Sequence, residues 1–458
     1  MTNQASTQRI TAIILAAGQG TRMHSTLPKV LHPIAGQPMI EYALQTAHSA
    51  SSEIPVVVVS RSGDEIREAV GARARFAVQD PQLGTGHAVQ SARPLLDGKT
   101  DLVLVTYADM PMMTGETLQR LLADKRSHSG PISMLTVMMQ DPHGFGRILR
   151  GPDGSVTAIM EEAQATREQL AIRELNVGAY CFDARWLWQA LERLPLSPKG
   201  EYYLTDVVGI AAADGLPVQA VQIDDPIEVL GVNTRVHLAE AEKAMRRRIN
   251  EAWMLAGVTL IDPETTYIEP GVKIGSDTVI WPNSYLRGKT LIGGGCVIGP
   301  NTILHSTQVG SHCTILSSVL EEALLEDHVS IGPFGHLRKG AHLGKGVHLG
   351  NFGEVKNSYL APGVKMGHFS YIGDAQIGAD VNIGCGTITC NFSPDGKKNR
   401  TEVGEGAFIG SDTLLVAPVT VGSGAITGSG SVVTHDVKAH TVVVGVPARF
   451  LKKLEDGN

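Results

Sequence analysis

From residue 257 onward the chain repeats one dipeptide, an aliphatic residue followed by glycine. It occurs at Ile274-Gly275, Ile292-Gly293, Ile298-Gly299, Val309-Gly310, Ile331-Gly332, Leu343-Gly344, Leu349-Gly350, Met366-Gly367, Ile372-Gly373, Ile377-Gly378, Ile383-Gly384, Val403-Gly404, Ile409-Gly410 and Val421-Gly422. Many of these lie six residues apart, and Val403, Ile409, Leu415 and Val421 keep that spacing without a slip. A helix repeats every 3.6 residues and a strand every 2, so neither produces this pattern. A coil of very short strands does, with one aliphatic side chain of each hexapeptide pointing inward and a glycine or small residue at each corner. Residues 391–400, NFSPDGKKNR, break the repeat and are expected to form a loop projecting from the coil.

The first half of the chain has a different rhythm. Apolar strands are predicted at residues 10–17, 55–60, 75–79, 101–107 and 132–139, with helices at 40–49, 64–70, 86–95 and 114–128. Strand and helix in alternation call for a parallel sheet covered on both faces, with ligands beyond the carboxyl ends of the strands. Residues 234–255 carry apolar side chains at helical spacing without glycine or proline, and read as one long connecting helix. The expected organisation is an α/β domain over residues 1–233, a linker helix over 234–256 and a β-helix over 257–458.

Composition excludes several functions. A net charge of -7 supplies no global positive field for a polyanion, so no nucleic-acid partner is expected. No apolar run approaches the length of a membrane span, and the opening MTNQASTQR has no apolar core of signal-peptide length, so the expectation is a cytoplasmic protein without a membrane partner. The five cysteines, Cys181, Cys296, Cys313, Cys385 and Cys390, form no C-x-x-C pair and indicate neither a disulfide framework nor a structural zinc site.

The first strand runs into Gly18-Gln19-Gly20, followed by Arg22 and Lys29. Such a break is either a plain tight turn or one whose N–H groups hold phosphate oxygens. It is not a dinucleotide fingerprint, since Met23 occupies the place of the third glycine, and no Gly-Lys-Ser/Thr makes it a Walker A loop. Two cations beside the turn would neutralise charge on a transferred phosphoryl group. Asp109, just past the apolar run 101–107, is either a carboxylate of the strand-end turn or a magnesium ligand.

LAAGQGTRM (residues 15–23) with STLPK (25–29) resembles the signature of sugar-phosphate nucleotidyltransferases, and QLGTGHA (82–88), YAD (107–109), FGRI (145–148), ELNVG (174–178), GEYYLTD (200–206) and GVNTR (231–235) continue it in order. With the hexapeptide coil behind it, the chain resembles over nearly its whole length the bacterial family of bifunctional N-acetylglucosamine-1-phosphate uridylyltransferase/glucosamine-1-phosphate acetyltransferases. The resemblance implies a Rossmann-like nucleotidyltransferase domain followed by a left-handed parallel β-helix. It further implies that Leu15, Ala16, Ala17, Gly18, Gln79, Gly84, Thr85, Tyr107 and Ala108 contact UTP and that Arg22 and Lys29 hold phosphates. Gly146, Glu161 and Asn176 would hold the amino sugar, and Asp109 with Asn233 would bind Mg2+. The sugar phosphate would attack the α-phosphorus of UTP and release pyrophosphate, supplying UDP-N-acetylglucosamine for peptidoglycan and lipopolysaccharide.

In the coil the same resemblance implies acetyl transfer from acetyl-CoA to glucosamine-1-phosphate. That reaction needs a base, because only a neutral amine attacks; His368 has a suitable unperturbed pKa near 6.5 and Glu354 could orient it. Arg338 and Lys356 would bind the sugar's phosphate, Tyr371 and Asn382 would complete the pocket, and Cys385, Asn391, Phe392, Ser411 and Ser429 would line the acetyl-CoA groove. Three positions depart from the family pattern: Ala108 replaces a glycine and could crowd the nucleotide, Phe392 replaces a tyrosine, and Gly445 stands where some members carry a basic residue, a role that Arg449 or Lys452-Lys453 could take. A homotrimer with shared sites is implied. The alternative is a uridylyltransferase whose coil only assembles trimers.

Overall fold

Ile10–Leu15 (β1) is buried along its whole length because it lies inside a sheet covered on both faces. Its odd and even side chains separate accordingly: Ile13 and Leu15 join one hydrophobic cluster, Ala12 and Ile14 the other. The computed structural model describes residues 8–142 and 144–453 of the chain. The remaining strands of this sheet are Val56–Ser60 (β2), Arg75–Gln79 (β3), Leu102–Tyr107 (β4), Ile132–Met138 (β5), Arg147–Arg150 (β6), Val156–Met160 (β7), Glu174–Asp183 (β8) and Val218–Ile223 (β9). Their order is β9-β5-β8-β4-β1-β2-β3, with β6 pairing β8 and β7 at the side.

The sheet is not wholly parallel, as the alternation of elements implied. β8 runs antiparallel to both β4 and β5, wedged between them. The chain travels from β5 to β8 through the β6–β7 ribbon rather than a crossover helix, so nothing forces it back to the same edge. Two other boundaries moved for local reasons. β1 ends at Leu15, although Ala16 still donates to the Val58 carbonyl at 2.9 Å, and the chain turns away there. The single helix expected over 86–95 is two, Thr85–Ser91 and Arg93–Leu96, because the Pro94 ring has no N–H to give and clashes with the preceding turn.

The chain separates into two compact units, Met1–Met245 and Arg246–Asn458, and the division falls inside the helix Arg235–Leu255. In the second unit the repeat builds a left-handed parallel β-helix of three sheets with 12, 10 and 9 strands, each strand pairing with the third one after it as far as Ile426–Thr427; there the 12-stranded sheet ends with Thr441–Val444 and, antiparallel to it, Arg449–Lys453. Full coils advance by three hexapeptides, as Lys273 pairs with Leu291, Val279 with Val297 and Tyr285 with Ile303. Every aliphatic residue of the aliphatic–glycine repeat lies in one continuous core. Many buried hydroxyls inside the coil are satisfied by neighbouring carbonyls, as Thr278 Oγ1 is by Gly293 at 2.9 Å. Residues 391–400 interrupt the coil between Ile388–Cys390 and Thr401–Val403, closed at their base by Asn399 N–H on the Asn391 carbonyl at 2.7 Å. Among the described residues no helix is long and apolar enough to cross a membrane.

Candidate active sites

In the first unit the chain reverses its order of strands between β1 and β4, and the loops after β1, β3 and β4 open a crevice there. A cavity of about 520 Å³ fills it. Of the residues expected to meet the nucleotide, Leu15, Ala16, Ala17, Gly18, Lys29, Gln79, Gly84, Thr85, Tyr107 and Asp109 line this cavity. Gln79 is nearly sealed off from solvent, and its Nε2 donates to the Gly84 carbonyl at 2.8 Å, which fixes the loop after β3. Ala108 is different: fully buried, it donates to the Leu15 carbonyl at 3.1 Å and packs into the hydrophobic core beneath the cavity. Its methyl group therefore does not crowd the pocket. Arg22, exposed in the short turn Thr21–Met23, is not among the residues lining the cavity.

Lys29 sits at the charged end of the site. Its ammonium donates to Asp109 Oδ2 and, at 3.1 Å, to Asn233 Oδ1. Two oxygens thus converge on one cationic atom. Among the described residues no three His, Cys, Asp or Glu side chains gather as a metal cluster. Two convergent oxygens suit a hard cation that takes its other ligands from phosphates and water, as magnesium does.

Tyr107 forms one wall, and glycine makes room for it. Gly178 has φ 89°, and a Cβ there would lie 2.8 Å from the Tyr107 ring. Burial, with the carboxylates of Asp109 and Glu161 close by, pushes the Tyr107 phenol well above its usual value, against a hydrogen bond to Thr85. The three residues expected to hold the amino sugar lie around the β6–β8 corner: Asn176 N–H donates to the Gly146 carbonyl at 2.8 Å, and Glu161 accepts from Thr205 Oγ1 at 2.9 Å. Burial and the Glu161 charge raise the nearby Asp206 carboxyl above the usual range. The sequence reading missed Gln19, Gln82, Glu201 and Tyr203, which also line the cavity. Gln19 Nε2 donates to Gln82 Oε1 at 2.9 Å, joining the loops after β1 and β3. The signal for Gln82, Glu201 and Tyr203 was present, since they stand inside the QLGTGHA and GEYYLTD stretches.

In the second unit, registration down the coil collects the charged residues. Glu354 pairs with His336 above and Tyr371 below, so Arg338, just past the strand His336–Leu337, stands above Glu354 and Lys356 on the next strand and Tyr371 on the one after. Arg338 Nη1 donates to Glu354 Oε1 at 3.0 Å. Glu354 was expected to orient His368; its carboxylate is taken by Arg338, and among the described residues no hydrogen bond joins it to His368. Arg338 and then Lys398 hold the Lys356 ammonium below the usual lysine value. Lys398 comes from the loop that breaks the repeat, where no motif marked it. Asn391 is 7% exposed and donates to Asp374 Oδ2 at 2.5 Å and to the Tyr371 hydroxyl at 3.4 Å. Phe392, 68% exposed, forms a bridge with Lys398 across the loop base.

His368 lies exposed at the corner before Ser370–Gly373, three residues ahead of Tyr371. Corner bonds repeat below it: Gly386 N–H on Phe369, Asp412 N–H on Cys385 and Gly430 N–H on Ser411, at 2.8, 2.6 and 2.7 Å. His368, Cys385, Ser411 and Ser429 therefore form one column down an edge of the coil. Asn382 stands on the adjoining sheet, paired with Lys365 and Phe408. The cation group and the corner column meet on the strand Ser370–Gly373. The coil thus presents a cation group and, at the corner that opens the strand Ser370–Gly373, an exposed histidine.

A family model described as a MobA-like NTP transferase domain matches residues 12–197. Similar proteins include three named Bifunctional protein GlmU. That of Heliobacterium modesticaldum is 46% identical over 436 residues, covering 95% of this chain and 95% of its own. That of Trichlorobacter lovleyi is 45% identical over 457 residues, covering 97% and 99%. That of Brevibacillus brevis is 45% identical over 452 residues, covering 98% and 97%.

Proposed function

The chain belongs to the family of bifunctional GlmU proteins, and from that premise we propose how its residues divide two group transfers. The enzyme is an N-acetyltransferase and a nucleotidyltransferase that makes UDP-N-acetylglucosamine from glucosamine-1-phosphate, acetyl-CoA and UTP. We assign uridylyl transfer to residues 1–233, acetyl transfer to residues 257–458, and the role of linker to 234–256. The observation that carries the reading is that similarity to the relatives runs through both candidate sites rather than stopping at the first. A uridylyltransferase with a merely structural coil is not favoured on the same ground.

In acetyl transfer, His368 takes a proton from the ammonium of glucosamine-1-phosphate. The freed lone pair attacks the thioester carbonyl, the C–S bond breaks, and the second proton of the nitrogen passes to the departing sulfur, so that the amide forms and CoA leaves as the thiol. Arg338, Lys356 and Lys398 bind the sugar's phosphate, Glu354 fixes Arg338, and Tyr371 and Asn382 complete the pocket. Cys385, Asn391, Phe392, Ser411 and Ser429 line the way for acetyl-CoA. Arg449, which pairs with Val444 beside Gly445, supplies the cation that position 445 lacks.

In uridylyl transfer, a phosphate oxygen of N-acetylglucosamine-1-phosphate attacks the α-phosphorus of UTP, and the bond to the β-phosphate breaks. Residues 15–18 and the Gln79–Gly84 loop hold the nucleotide, Gly146, Glu161 and Asn176 hold the sugar, and Lys29, with Arg22, neutralises the phosphates. Asp109 and Asn233 hold Mg2+, which when bound draws charge off those phosphates. The assembly is a homotrimer that works in the cytoplasm, a setting that agrees with five free thiols.

Two assays test the assignment. CoA release is expected to vanish in His368→Ala while pyrophosphate release from UTP and N-acetylglucosamine-1-phosphate stays, and Asp109→Ala is expected to do the reverse. Loss of both activities from either folded variant would overturn independent sites.

A further inference from the structure

The loop that interrupts the coil is fastened to it at one side chain. Asp374 follows the strand Ser370–Gly373 and has φ 51°, a conformation that suits aspartate, asparagine or glycine. One carboxylate oxygen accepts from Asn391 Nδ2 at 2.5 Å and the other from Asn357 Nδ2 at 2.6 Å. Its own N–H donates to the Lys356 carbonyl at 3.1 Å, and its carbonyl accepts from Thr401 N–H at 3.2 Å. Asp374 therefore grips the first residue of the loop, the residue that follows the loop and the end of the strand bearing Lys356.

The loop passes this constraint to its own cation. Asn399 N–H closes on Asn391, and Lys398 bridges to Phe392, so the place of Lys398 follows from the place of Asn391. Asp374, Asn357 and Lys398 line one cavity of about 420 Å³. Lys398 is near enough to Lys356 to depress its ionisation, second only to Arg338. Cations gathered this closely repel one another, so the loop that carries Lys398 needs an anchor, and the Asp374 carboxylate, which acts on Lys356 as well, provides one.

We infer that Asp374 is a positioning residue for sugar-phosphate binding: through Asn391 and the loop base it holds Lys398 beside Lys356 and Arg338, where the phosphate of glucosamine-1-phosphate is received. The inference rests on the acetyl-transfer reading above. Asp374 lies away from the corner column of His368, so it acts on capture of the substrate and not on transfer of the acetyl group.

The test is steady-state acetyl-transfer kinetics of the full-length chain. Asp374→Ala is expected to raise KM for glucosamine-1-phosphate about 10-fold or more, the scale of a lost hydrogen bond to a charged group, with kcat within about threefold and uridylyl transfer unchanged. Asp374→Asn tolerates the same backbone conformation, so it keeps the test open if the alanine variant does not fold. It leaves the carboxamide facing two donors, and KM should rise again. Combining Asp374→Asn with Asn391→Asp reverses donor and acceptor and restores the pair; KM should then fall back below that of either single variant. A wild-type KM in both Asp374 variants, or a loss confined to kcat, would overturn the inference. No CoA release from the wild-type chain would overturn the function itself, and the wild-type control distinguishes that failure.

Discussion

His32 is 4% exposed, its Nδ1 faces the Arg235 guanidinium at 3.1 Å, and its Nε2 has no hydrogen-bond partner among the described residues. With Nδ1 accepting from arginine, the ring's one proton belongs on Nε2, and a second has nowhere to go. Burial first and Arg235 second hold its pKa below 6.5, while the unfolded chain would take up the proton near 6.5. The unfolded state then binds more protons in that window, so stability present at neutral pH is lost as pH falls below it. The melting midpoint of the first unit should drop between about pH 7 and about pH 5, and His32→Gln, whose oxygen can still accept from Arg235, should flatten that slope. Equal slopes in the two proteins would show that acid acts elsewhere. Gly178 is a second single-residue constraint. Gly178→Ala must both strain a φ of 89° and push its Cβ into the Tyr107 ring. Uridylyl kcat/KM should fall about 10-fold to 100-fold with acetyl transfer intact, since a wall displaced by an ångström spoils substrate placement.

The strands of the coil are too short to stand alone, so each is stable only through the aliphatic residue it buries and the strands stacked on it. Leu349, fully buried in that core, makes the point measurable: Leu349→Ala should cost roughly 2–5 kcal/mol in denaturant unfolding of the second unit, with uridylyl transfer unchanged. This element was legible because its period admits one fold; all the aliphatic residues that set the repeat do point inward. β8 was not read as a strand at all, since residues 174–183 lie outside the predicted strands, and its antiparallel direction depended on the β6–β7 ribbon. The same division holds in the sites. Asp109, Gln79 and Thr85 stand in stretches whose order could be matched, and they line the cavity. Lys398 lies in an irregular loop, and only its base pairing brings it to Lys356. Glu354 was expected to orient His368, and its carboxylate instead accepts from Arg338 one coil away.

At the scale of the whole chain, two chemistries with different needs occupy two different scaffolds. On the assignment proposed above, phosphoryl transfer would use the loops and a lysine at the end of a sheet, and acetyl transfer a histidine corner and a cation group built by registration down a coil. The product of the second scaffold is the substrate of the first, and N-acetylglucosamine-1-phosphate can cross between them through solvent. The central claim is that each site is complete without the other's chemistry. The most direct measurement is UDP-N-acetylglucosamine formed from glucosamine-1-phosphate, acetyl-CoA and UTP by a mixture of the His368→Ala and Asp109→Ala proteins. Each variant alone should form none, and the mixture should form it at a rate comparable with the wild-type chain after a lag while the acetylated intermediate accumulates. A mixture as inert as its components, from variants that each retain their other activity, would contradict the account.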